Sequence, residues 1–101
     1  MKKHANPESS SGTSYFGHHF MATTASLRAL FGEPHYAEGD YTIDEWVLDI
    51  GGGATATVYH RGETRYPEDQ PIRWHVGAHL PSDSLYAIIR IKDLLTNTPT
   101  T

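Results

Sequence analysis

The chain contains no cysteine, so disulfides and thiolate metal sites are both excluded. No apolar run reaches the length of a membrane span or a signal-peptide core, and Met1-Lys2-Lys3 leads into polar residues. These absences predict a soluble, cytoplasmic protein that does not engage a membrane. Positive charge is also short: eight Lys and Arg stand against twelve Asp and Glu, a formal charge of −4. A general phosphate-backbone binder needs a basic stripe, so the charge balance argues against that class. Six acids and no Lys or Arg fall between Glu33 and Asp49, which reads as a solvated edge. Apolar residues are only 38% of the 101, which predicts one domain with a modest core and flexible ends. Histidine is what the chain has in plenty. Its seven copies predict sensitivity to pH between about 5 and 8.

Three segments, residues 45–50, 54–61 and 72–77, alternate apolar and polar side chains. One parity reads Trp46, Leu48, Ile50, then Ala54, Ala56, Val58, then Ile72, Trp74, Val76. The other reads Glu45, Val47, Asp49, then Thr55, Thr57, Tyr59, Arg61, then Arg73, His75, Gly77. Successive strand side chains point to opposite faces, so the first set is core and the second a polar surface. On this parity Trp46 and Trp74 are core anchors.

Gly51-Gly52-Gly53 supplies the positive φ angles of a hairpin turn between the first two strands. An earlier strand is read over 15–20, with His18 awkwardly on the parity of Phe16 and Phe20. A helix follows, capped by Thr23 or Thr24, striped by Leu27, Leu30 and Phe31, and closed by Gly32 and Pro34. A second helix opens at Pro81-Ser82-Asp83, with Ser82 as cap. Its buried stripe is read as Leu85, Ile88, Ile89 and Leu95, flanked by Tyr86 and Ile91. The order β-α-β-β-β-α predicts a two-layer α+β domain over residues 14–95. Its four-stranded, mostly antiparallel sheet carries helices on one face. Polar segments 1–13 and 96–101 read as disordered tails. A small open sheet has edges to hide, which favours a homo-oligomer.

The chemistry-bearing residues narrow the functions. Adjacent His18 and His19 on a strand point to opposite faces, and His75-x-x-x-His79 straddles a strand end, so no metal site is assigned. There is no Gly-x-Ser-x-Gly elbow and no phosphate-cradling glycine loop before a helix, so no catalytic residue or cofactor is assigned. The polar face is the candidate site. Tyr59, Arg61, Arg73 and His75 bring guanidinium forks, an imidazole and a phenol toward one another, with Arg65 in reach from the following loop. The competing reading of this face is cross-strand ion pairing of its arginines with Glu45 and Asp49.

Four short motifs occur in order across residues 15–90: Leu27 with Phe31-Gly32-Glu33-Pro34, Glu45-Trp46, Ala56-Thr57-Val58-Tyr59 and Trp74-His75-Val76-Gly77. In this the chain resembles a family of small uncharacterised bacteriophage proteins. Members run on from the Ala-Thr-Val-Tyr strand into an acidic, aromatic and lysine-bearing stretch, and their Trp-His motif ends in two glycines. Here those places hold His60-Arg61 and Gly77-Ala78. The resemblance implies an accessory protein that counters host defence inside an infected bacterium. Such a protein either grips a defence protein or sequesters a nucleotide signal as an oligomer.

The reading that joins both lines is a non-catalytic, homo-oligomeric protein sequestering a small anionic, nucleotide-type molecule. Arg61, Arg73 and Arg65 hold phosphate, and Tyr59 and His75 pack against base or sugar. The alternative is a protein–protein inhibitor of a host nuclease or CRISPR effector, acting through Glu38, Asp40 and Asp44 of the acidic stretch. A histidine-dependent hydrolase is the third class.

Overall fold

Alternating side chains in three neighbouring segments give each strand one apolar row, and the rows can be buried together only if the strands pair in register. The computed structural model describes residues 1–38, 42–62 and 65–97. In it, strands β1 (Lys2–Lys3), β2 (Ser14–Thr23), β3 (Tyr36–Glu38), β4 (Thr42–Gly51), β5 (Ala54–Arg61) and β6 (Pro71–Ala78) form one antiparallel sheet. Helices α1 (Thr24–Phe31) and α2 (Pro81–Asn97) complete an α+β fold. Strand order is β1-β4-β5-β6-β2, with β3 also pairing with β4. The sheet therefore has six strands where the periodicity indicated four. The two additions, of two and three residues, are too short to carry a period.

The central register puts Trp46 opposite Val58, Val58 opposite Val76, and Tyr59 opposite His75. Gly52 and Gly53, at φ 61° and 80°, make the two-residue hairpin link between β4 and β5. The apolar parity of the sheet joins Leu27 and Phe31 of α1 and Ala87, Ile88 and Ile91 of α2 in one core. Trp46 and Trp74 are fully buried there, edge to face at 5.5 Å. Each indole N–H is satisfied by a carbonyl, Gly32 for Trp46 at 2.9 Å and Ala22 for Trp74 at 3.0 Å.

Thr23 caps α1 by accepting the Ser26 N–H, and the helix ends at Gly32 with φ 77°. At α2 the expectation needs correcting. The Leu80 carbonyl accepts the N–H groups of Asp83 and Ser84, so the helix begins at Pro81 and Ser82 is exposed within its first turn. Its buried row is Ser84, Ala87, Ile88 and Ile91, while Leu85 and Ile89 stand 48% and 57% exposed. The sheet face below is already filled by two tryptophans. The small Ser84 and Ala87 permit close approach there, which longer side chains would prevent.

Residues 1–13, read from composition as a tail, have a place on the sheet. Strand β1 lies at one side and β2 at the other, so residues 4–13 must cross between them. They do so over the polar-parity face, through a 3₁₀ turn at Pro7–Ser10 started by Asn6, whose side chain accepts the Glu8 N–H. Hydrogen bonds fix this strap at both ends. At one, the His4 N–H donates to the Val47 carbonyl at 2.7 Å. At the other, His79 Nε2 lies 3.2 Å from the Ser9 carbonyl oxygen. Beneath the strap Val47, Thr55 and Thr57 are buried. Of the segment 96–101, Thr96 and Asn97 belong to α2 and residues 98–101 lie outside the described residues.

Candidate functional site

The strap leaves part of the polar face uncovered, and the sheet register decides which side chains line it. His75 on β6 is opposite Tyr59 on β5 and His19 on β2. All three therefore point to the same side, away from the helices. A step of two residues along antiparallel strands, from Tyr59 to Arg61 and from His75 to Arg73, carries both arginines toward one end of the sheet. Arg61, Arg73 and His19 are exposed, and Tyr59 and His75 are half-buried. The imidazole of His75 is stacked on Tyr59 at 5.6 Å and met edge-on by Tyr15 at 5.0 Å. Tyr15 is paired with Gly77, whose missing side chain leaves the Thr57 hydroxyl room: a Cβ there would lie 2.7 Å from its oxygen.

The patch is electropositive. Burial holds the pKa of His75 below its ordinary value, and the charges of Arg61, His19, Arg73 and His60 push it the same way. Its Nδ1 is buried with no hydrogen-bond partner among the described residues. Tyr59 is raised by burial, with the charge and hydrogen bonding of Arg61 opposing. Glu45, whose own pKa burial raises, is an acid whose charge acts on Tyr59. Among the described residues, neither Arg61 nor Arg73 forms an ion pair. The bridges run instead from Arg28 to Glu33 and Glu68, Arg65 to Asp44, and Arg90 to Asp93. Asp49 accepts the Gly51 N–H at 2.9 Å. Cross-strand pairing with Glu45 or Asp49 does not consume these guanidinium groups.

Four of the five side chains read from the sequence, Tyr59, Arg61, Arg73 and His75, share this face. Arg65 is engaged elsewhere, 3.2 Å from the Asp44 carboxylate. Asp44 is only 2% exposed and its pKa is raised by burial, with Arg65 and Arg28 opposing. The solvated acidic edge expected over residues 33–49 is therefore broken at Asp44, and Glu33 is tied to Arg28. Glu38's side chain and Asp40 lie outside the described residues. Asp44 also has φ 55° and sits where the β4–β5 register slips between Ile43 and Trp46, as at a β-bulge.

Sequence reasoning missed His19 and Tyr15 as neighbours of the site. Their placement depends on the β2–β6 pairing and on a register shift between Tyr15 and His19, where Gly17 adopts φ 91°. The awkward His18 turns to the helix side, with Nδ1 2.8 Å from the Ser84 hydroxyl. His60, also on the helix side, is buried between Tyr66 and Trp74. Among the described residues no three His, Asp or Glu side chains are grouped to hold a metal ion, and no helix is long and apolar enough to cross a membrane. No protein-family model, curated protein or solved structure matches the chain.

Proposed function

We propose that the uncovered part of the sheet binds a small anionic molecule of nucleotide type without transforming it. The observation carrying this reading is that Arg61 and Arg73 share one face with His19 and His75 while neither arginine has an ion-pair partner among the described residues. Guanidinium forks not tied up in ion pairs take phosphate oxygens bidentately, which a surface of solvated lysines does not do. The Tyr59–His75–Tyr15 ring cluster gives a flat base or sugar an apolar edge. Joined to the phage resemblance, this gives an accessory protein that sequesters a nucleotide signal of host defence in the bacterial cytoplasm. The protein–protein alternative is weakened because Asp44, one of its three proposed contacts, is buried.

The direct test is to incubate the purified protein with extracts of bacteria whose nucleotide-signalling defences are active, filter it, denature it, and identify what is released by mass spectrometry. Intact nucleotide in stoichiometric amount is the expected result. A cleaved nucleotide would replace sequestration with hydrolysis, and release of nothing from any extract would overturn the reading.

A further inference from the structure

The two edges of this sheet are built differently. On the outer side of β4, β3 pairs with Ile43 and Glu45, and β1 pairs with Leu48 and Asp49. Between them the Val47 N–H is taken by His35 Nδ1 at 3.0 Å. That edge is closed from Ile43 to Asp49 and ends in Lys2 and Lys3. The other edge is β2, ten residues long with a register shift between Tyr15 and His19, bonded to β6 on one side and, among the described residues, to no strand on the other. Its sequence, Ser-Tyr-Phe-Gly-His-His-Phe-Met-Ala-Thr, contains no Lys, Arg, Asp, Glu or Pro, the residues that usually discourage edge pairing. Tyr15, Phe16 and Met21 stand 39%, 36% and 60% exposed along it.

We infer that β2 is a dimerisation edge, which pairs antiparallel with the β2 of a second copy to give one continuous twelve-stranded sheet from two six-stranded ones. A second copy fits better than another partner for two reasons. With a formal charge of −4 the chain repels itself over much of its surface, but the β2 edge carries no formal charge of either sign. An uncharged strand meeting its own copy antiparallel is self-complementary about a two-fold axis. Head-to-tail growth is disfavoured because the opposite edge consists of β1 and β3, two and three residues long, which offer β2 no continuous strand to pair with, so assembly closes at two. That two-fold runs perpendicular to the sheet and puts both uncovered faces on one side of the dimer. His19 and Met21 of each copy then line the seam, and Arg73, paired with Met21 in its own sheet, lies one strand from it. The inference does not depend on what the face binds.

Sedimentation velocity on the full chain, from low to high micromolar concentration, tests this together with hydrogen exchange. The expected result is a species of twice the 11.2 kDa chain mass, and slower exchange of the 18–23 amides at high concentration than at low. Met21→Lys, with an unchanged circular dichroism spectrum, should sediment as monomer. Phe16→Glu serves as the second variant in case Met21→Lys unfolds. A monomer at every concentration, an assembly larger than two, or a dimer whose 18–23 amides exchange independently of concentration would each overturn the inference.

Discussion

The ring of His75 lies nearly parallel to that of Tyr59, 18° from coplanar with centroids 5.6 Å apart. The contact follows from register, since the two residues are direct partners across β5 and β6. Stacking shields the imidazole on one side, Tyr15 closes another, and two arginines raise the local potential. A charged imidazole is disfavoured there unless an anion arrives. The same residues thus set the pH response of the fold and, under the proposed function, that of anion binding.

The fold's pH response has a defined sign. The folded pKa of His75 is lowered from 6.5, so below that value the unfolded chain binds more protons than the folded one. The His75 contribution is fully present above pH 6.5 and is lost as pH falls through the folded pKa. Asp44 and Glu45, both raised by burial, act in the opposite sense: their contribution is present in acid and lost as pH rises through their folded values. Urea unfolding at pH 7.5 and 5.5 should show wild type losing stability on acidification, and His75→Gln losing less. Equal losses in the two proteins would exclude His75 as a source. Bound phosphate reverses the local preference, so nucleotide affinity should rise as pH falls over the same interval.

Arg73→Ala removes from an exposed position a guanidinium that forms no ion pair among the described residues, so the fold should be unaffected. Hydrogen bonds to charged groups contribute about 1.5–3 kcal/mol each. Nucleotide binding measured by calorimetry should therefore weaken by roughly one to two powers of ten, with an unchanged melting temperature. Arg65→Ala should leave affinity nearly intact, because that side chain is paired with Asp44. If the two variants bind equally well, phosphate is held somewhere other than the Arg73 end of the face.

Alternation made the sheet's core readable: Trp46, Leu48, Val58, Trp74 and Val76 are all buried, on the parity predicted. The same alternation brought Tyr59, Arg61, Arg73 and His75 to one face. It failed where position depends on contacts distant in the chain. Arg65 follows β5 in a loop, and it is paired with the buried carboxylate of Asp44, beside the register shift in β4. The phase of α2 was misread because Leu85 and Ile89 are more apolar than Ser84 and Ala87. What decides burial at that interface is room beside the tryptophans. The strap over residues 4–13 has almost no apolar signal, because hydrogen bonds to Val47, His35 and His79 hold it.

His35 joins that strap to the sheet. The Val47 N–H donates to its Nδ1 at 3.0 Å, so Nδ1 is unprotonated, and Nε2–H donates to the His4 carbonyl at 2.8 Å. This fixes the neutral Nε2–H form. His35→Leu leaves a backbone N–H unpaired on a buried residue, a loss of about 1–3 kcal/mol. For a domain of this size each kcal/mol corresponds to roughly 4–8 °C in melting temperature. Thermal denaturation should therefore show a fall of about 4–24 °C, with faster hydrogen exchange at residues 2–4. No change in either measurement would mean that the strap is held by β1 and His79 alone.

Gly77 separates the covered and uncovered parts of the face. A methyl group there would meet the Thr57 hydroxyl oxygen at 2.7 Å and the Ser14 carbonyl oxygen at 3.3 Å. Thr57 is buried under the strap and has little freedom to withdraw. Overpacking of this kind costs about 1–3 kcal/mol, so Gly77→Ala should destabilise the fold by that amount in urea unfolding. Thr57→Ala removes the tighter of the two contacts. The double variant should therefore be less destabilised than the sum of the single ones, because the substitutions share one contact. Strict additivity would show that the constraint at Gly77 comes from the Ser14 backbone, at the start of β2, and not from the Thr57 side chain across β5.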